Sequence, residues 1–266
     1  MKPIVTWELR QRKTALLWFM FSALLLTAAI VAIFPATQHS HVLTKTVNDL
    51  PNGLRQLKNG NSTLDTSTPV GFLNSQLFYI TLPILYIILA VNRGSGIIGR
   101  EEQAHTLELL LARPISRGRL LAGKALSLVS ELAIIGLATT LVVIAVGRAV
   151  GLDLPISRLV ITNLYALLFS LSFGAIAFAL VAFGRLTKRA STAIAVTVAF
   201  GGYLVTSLES LTHWLINPAK LAPYHYFLPV NTLQGFAVKG LDIYLISLFL
   251  VTSLVAYYGF RRRDID

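Results

Sequence analysis

The stretch GSGIIGREEQAHTLELLLARPISRGRLLAGK, residues 94–124, decides how the rest of the chain is read. It is the long polar interruption that falls on the basic side of a very apolar sequence. Arg93, Arg100, Arg113, Arg117, Arg119 and Lys124 stand there against Glu101, Glu102 and Glu108. Within it, Thr106 to Ala112 is a run of helix formers in which Leu107, Leu110 and Leu111 fall at i, i+3 and i+4, on one face. Pro114 stops that helix and biases Arg113 toward an extended backbone. Ser116 is then placed to cap a new helix that enters the next apolar segment. The spacing predicts a short amphipathic helix set crosswise at a membrane surface between two long apolar ones.

The composition agrees. Of 266 residues, 55% are hydrophobic and 13% charged, which is too apolar for an ordinary soluble domain. Six apolar runs approach the length a bilayer core requires, about 20 residues. They cover 14–34, 72–91, 125–146, 159–183, 190–208 and 241–260. The fold class expected is therefore an all-α integral membrane protein, one domain over 1–266. The chain has no cysteine, which excludes disulfides and thiolate metal sites. A net charge of +11 raises nucleic acid as a partner, but the basic residues cluster at the ends of apolar runs, where topology places them. No cleavable signal peptide is read from the first span.

Sixteen of the 23 Lys and Arg residues fall on one side of this six-span arrangement and seven on the other. The positive-inside rule then puts both termini and residues 94–124 in the cytoplasm. Residues 1–13 carry Lys2, Arg10, Arg12 and Lys13 among Ile4, Val5, Trp7 and Leu9. They fit either an amphipathic interfacial helix or a charged flank that only orients the first span. Residues 35–71 form an outer loop, and Pro83 predicts a kink in the second span. Residues 209–240 lie outside yet hold Trp214, Tyr224, Tyr226, Phe227 and three prolines. That composition predicts short helices at or in the outer leaflet.

Chemistry is sparse. Gly118 to Ala125 has the spacing of a phosphate-binding loop, but Ala125 stands where the magnesium-binding Ser or Thr belongs, and the segment enters a membrane helix rather than following a strand. No catalytic, cofactor-binding or metal-ligating constellation is found; His39 and His41 lack further ligands nearby. Glu131 is the ionisable residue inside a predicted span. Such carboxylates are functional candidates, although Lys124 lies about two turns away, about 10 Å along the helix, and a paired structural role is equally open. Ser170, Gly174, Ala175 and Ala179 on the fourth span, and Gly201-Gly202 on the fifth, allow close helix approach.

Glu101-Glu102-Gln-Ala-His105-Thr106-Leu107-Glu108-Leu-Leu110-Leu111-Ala-Arg113-Pro114-Ile-Ser116-Arg117 resembles the signature between the second and third spans of ABC-2 family transporter permeases. That signature runs E-E-x-x-G-T-L-E-x-L-L-x-x-P-x-S-R and is followed by a Gly-Lys pair, here Gly123-Lys124. Gly71 to Phe78 and the Arg-Arg-Arg-Asp-Ile ending are similar to family members too. One departure is His105, where the family carries Gly at the entry to the short helix. The resemblance implies the permease subunit of an ABC exporter, not itself an enzyme, in a bacterial or archaeal cell membrane. It implies that residues 101–117 are a coupling helix seated in a separate ATPase subunit, which binds the ATP and magnesium. It implies a second permease copy, giving a homodimer in the lipid bilayer. An intramembrane enzyme and a non-transporting assembly factor are the competing readings from the residues alone.

Overall fold

The structure, a computed structural model, describes residues 2–38, 65, 67–103, 116–184, 186–209, 213–237 and 240–262. All regular structure among them is helical. The six long helices are α2 (Lys13–Ala32), α5 (Thr81–Gln103), α6 (Arg117–Ala149), α7 (Ile156–Ala182), α8 (Lys188–Leu208) and α12 (Leu241–Arg262). With their flanking turns they supply six segments long and apolar enough to cross a membrane, the second running from Pro69 to Glu101. A short α1 (Lys2–Gln11) precedes the first span, and α3 (Phe34–Gln38) follows it. α4 (Pro69–Leu73) opens the second span, with Thr68 as its N-cap and Pro69 in its first turn. Between spans five and six lie α9 (Ile216–Ala219), α10 (Pro223–Tyr226) and α11 (Pro229–Gln234).

The fourth span, α7, is the axis of the bundle, and its contact with α5 is the most extensive in the molecule. In lipid no hydrophobic gain favours one helix pair over another, so close packing and hydrogen bonds must hold the spans together. Small residues provide the first. A Cβ at Gly94 would lie 2.2 Å from the Gly174 carbonyl oxygen, and one at Gly174 would lie 2.8 Å from that of Ala90. The backbones therefore touch at a point where only glycine fits. Ser170, one turn above, donates to the Pro83 carbonyl at 3.3 Å. Polar side chains provide the second. The Tyr86 hydroxyl donates to Asn163 Oδ1 (2.8 Å) and lies 2.5 Å from Thr139 Oγ1. Asn163 Nδ2 in turn donates to Thr140 Oγ1 (2.6 Å) and to the Gly136 carbonyl (2.8 Å). One buried tyrosine and one buried asparagine thus join spans two, three and four.

At the end of the bundle away from both termini, α10 and α11 fold back against the spans. Phe227 stacks on Phe169 at 4.3 Å and Tyr224 meets the same ring edge-on at 4.6 Å. Tyr203 of the fifth span continues the cluster at 5.4 Å from Tyr224. Burial pushes the Tyr224 phenol well above its usual range. Pro223 and Pro229 stand in the first turns of their helices, where a missing N–H costs nothing. The expected short helices of 209–240 are present, and they are packed against the spans rather than merely resting beside them.

The helices also run further than the apolar pattern indicates. The polar stretch 94–124 does not leave the bundle at its start: α5 continues to Gln103 and α6 begins at Arg117, so the helices run through much of it. A 33-residue segment is about 50 Å long, well beyond the ~30 Å hydrocarbon core, and its polar end projects as helix. Pro83, expected to kink the second span, falls beside an irregular stretch of it. It lies in the first turn of α5, and the irregularity is a π turn at Asn74–Phe78, with the Tyr79 N–H bonded to the Asn74 carbonyl five residues back. The helix of 106–112, with the glycosylation-type triplet at Asn61 and the histidines His39 and His41, lies outside the described residues.

Candidate functional site

The polar residues of the second and third spans converge where α5 ends and α6 begins. Lys124 is the centre. Ser116 caps α6, its Oγ accepting from the Arg119 N–H at 3.4 Å, and two turns later the lysine points inward. It is only 1% exposed. Its ammonium donates to Glu8 Oε1 (2.9 Å), to the Ile97 carbonyl (2.9 Å) and to Glu101 Oε1 (2.5 Å). All three N–H groups of the lysine are thereby engaged. One side chain ties α1, the end of the second span and the start of the third. Gly123 makes room for this: a Cβ there would lie 3.1 Å from Ile4 Cδ1, so α1 packs directly on α6. Residues 2–11 are thus a helix seated on the bundle, with Glu8 turned in and Trp7 turned out.

Glu131 is the second element. It does not pair with Lys124. Both its oxygens accept from Arg93, through Nε and Nη2, and the two residues are 1% and 2% exposed. The geometry is the two-pronged fork that a planar guanidinium makes with a carboxylate. Arg100, half-buried, folds back over Gly96 within electrostatic range of Glu8, Glu101 and Glu131. Three acids and three bases therefore share one interior region, and their formal charges cancel. Buried charges are tolerable only when paired and hydrogen-bonded. The fifth span closes the side of the cluster: Lys188 Cβ would lie 2.8 Å from a Cβ at Gly99, and Thr192 Oγ1 bonds Ser95 Oγ at 2.8 Å.

Of the residues expected to form the coupling interface, Glu101 joins this cluster. Glu102 lies in the last turn of α5. His105, Thr106, Leu107, Glu108, Leu110, Leu111, Arg113 and Pro114 lie outside the described residues. Ser116 is the N-cap of α6, and Arg117 turns toward the sixth span, its Nη1 3.4 Å from the carbonyls of Phe260 and Arg261. Sequence reading missed Glu8 and Arg93. A signal was present: a lone acid in a span calls for a base at the same depth. Tyr86, Arg93 and Arg100 also recur at seven-residue intervals along one face of α5.

The arrangement offers no nucleophile beside a base and no open cation site. With Lys124 fully engaged and Gly123 against Ile4, the Gly118 to Lys124 spacing is a helix-packing feature and not a phosphate cradle. What the cluster can do is mechanical. It fastens both helical flanks of residues 104–115 to one another and to α1.

No curated protein matches the chain. A family description, ABC-2 family transporter protein, matches residues 3–265, nearly the whole of it. Six apolar spans and that match agree: the chain belongs to the ABC-2 family of transporter proteins, as the membrane permease component of an ABC-type transporter.

Proposed function

We propose that this permease works as an exporter driven by a separate ATP-hydrolysing subunit, with residues 101–117 as the element seated in that subunit. The observation that supports this most directly is the Lys124 clamp, which stiffens both ends of the stretch. Coupling needs a contact that does not yield, because closure of the partner moves the spans only through a rigid link. In this reading ATP and magnesium are held by the partner, and two permease copies stand side by side in a bacterial or archaeal cell membrane. Both termini and residue 105 face the cytoplasm, following the charge asymmetry of the sequence.

The test is retention of the ATPase. Affinity purification of the native chain from its own membranes should bring down a subunit with magnesium-dependent ATPase activity. The double substitution Leu107→Ser and Leu110→Ser removes apolar contacts worth ~1.5–3 kcal/mol for each fully buried side chain, or about tenfold or more in affinity apiece. The variant should insert normally and lose the ATPase. Retention at the native level would reduce residues 101–117 to a connector.

A further inference from the structure

A groove of about 500 Å³ opens on the outside of the bundle between the third, fourth and sixth spans. Its walls include Leu121, Leu128 and Val129 of α6, Ala175 and Phe178 of α7, and Phe249 of α12. It runs from Gly118 to Val129 along α6. Eleven residues of helix rise about 16 Å, half of a ~30 Å hydrocarbon core, so the groove is as deep as one leaflet. At its mouth it shares Gly118, Leu121 and Tyr257 with a second, polar hollow of about 330 Å³. Ser116, Arg117 and Arg261 line that hollow. Arg117 is held across it by the carbonyls of Phe260 and Arg261, which fixes the guanidinium at the level where the sixth span ends.

We infer that this composite site binds one anionic phospholipid, an acyl chain lying in the groove and the phosphate held between Arg117 and Arg261. An apolar slot one leaflet deep with two guanidinium groups at its polar end matches a lipid in length, in polarity and in sign of charge. A guanidinium meets a phosphate through paired N–H donors, which an ammonium cannot do. The groove between spans two and five, about 340 Å³ and lined by Ile84, Ile88, Val196 and Phe200, contrasts with it. No charged residue lines that second groove, so it has no means of selecting a headgroup. The lipid site joins α6 just after residues 104–115 to the end of α12, and an occupied site splints two spans that otherwise meet along a cleft.

Native mass spectrometry of the purified chain with added dioleoyl phosphatidylglycerol or dioleoyl phosphatidylcholine reads the binding directly. Each arginine contributes about fivefold near a charged headgroup, so the anionic lipid should bind roughly 25-fold more tightly than the zwitterionic one. Arg117→Gln and Arg261→Gln should each lose about fivefold for phosphatidylglycerol, and the double variant should treat the two lipids alike. Glycerol phosphate, which has the headgroup chemistry and no acyl chain, should fail to compete. Equal retention of both lipids by the native chain overturns the inference, and so does a double variant that holds phosphatidylglycerol at the native level. Effective competition by glycerol phosphate would make the hollow a free-phosphate site and overturn it as well. The unaltered chain alone gives two of these readings, so a variant that fails to fold leaves the test intact.

Discussion

Replacing Glu131 by Gln should destabilise the protein severely, and restoring balance at Arg93 should repair it. Arg93 is 2% exposed, and its Nε and Nη2 are both spent on the Glu131 carboxylate. Its Nη1 has no hydrogen-bond partner among the described residues, so nothing else is placed to take over. Glu131→Gln keeps the shape and one acceptor but leaves a guanidinium charge inside the bundle. Breaking a buried pair from one side costs about 3–5 kcal/mol, against a total stability on the order of 5–15 kcal/mol. Removing both charges together, as Arg93→Met with Glu131→Leu, should be close to neutral, because two desolvation costs vanish with the attraction they supported. Thermal unfolding of the native chain, Arg93→Met, Glu131→Leu and the double in one detergent closes the cycle and isolates the pair. The reasoning fails if Glu131→Gln unfolds within about 0.5 kcal/mol of the native chain, the ordinary scatter for an uninvolved surface site. It fails equally if the double variant is as unstable as the two singles added. A stable double variant that no longer transports would instead assign the carboxylate a direct part in transport.

Lys124→Met should leave Glu8 and Glu101 facing each other without their shared cation, costing about 3–5 kcal/mol and loosening α1 from α6, seen as faster hydrogen exchange in residues 2–11. Gly94→Ala should prevent folding, because its Cβ would overlap the Gly174 carbonyl oxygen at 2.2 Å; yield of monodisperse protein reads this. Gly201→Ala meets nothing within 4 Å and should raise stability by up to about 1 kcal/mol in the same assay series. Tyr86→Phe should cost about 1–2 kcal/mol in thermal unfolding, since it leaves the buried Asn163 Oδ1 without the donor it accepts from.

The six spans were legible because lipid enforces a local rule. Every residue facing the hydrocarbon must be apolar over a fixed length, and that pattern is written in consecutive positions. The short helices before the sixth span were legible for a similar reason: Pro223 and Pro229 mark first turns, and the aromatic residues demand burial. The charge cluster was not. Arg93 stands two residues past the last apolar run of the second span, where a hydropathy reading ends the helix. Its partner is 38 positions away on another helix, and no local pattern records that distance. The nearest base to Glu131 along its own helix is Lys124, but that lysine turns to Glu8 and Glu101 instead. Likewise the π turn at Asn74–Phe78 has an unremarkable composition, since the extra residue is accommodated by packing and not by any special side chain.

The position of the cluster carries the mechanical argument. A bundle held only by van der Waals packing can slide, since one apolar surface is nearly as good a neighbour as the next. Ion pairs with fixed partners cannot slide without leaving a charge unmatched. Here the charges sit where spans two and three continue into residues 104–115, and one lysine holds α1 to both of them. Higher up the same helices, Tyr86, Thr139 and Asn163 repeat the fastening with neutral groups. Spans two and three are therefore pinned at two depths, the neutral fastening also holds span four, and Gly94 and Gly174 bring the backbones of spans two and four together next to Arg93. Spans one, five and six are much less enclosed in the single chain. Under the proposed coupling, a force entering through residues 104–115 moves the pinned helices as one body. Relative motion is then left to spans one, five and six, whose contacts are the more open ones.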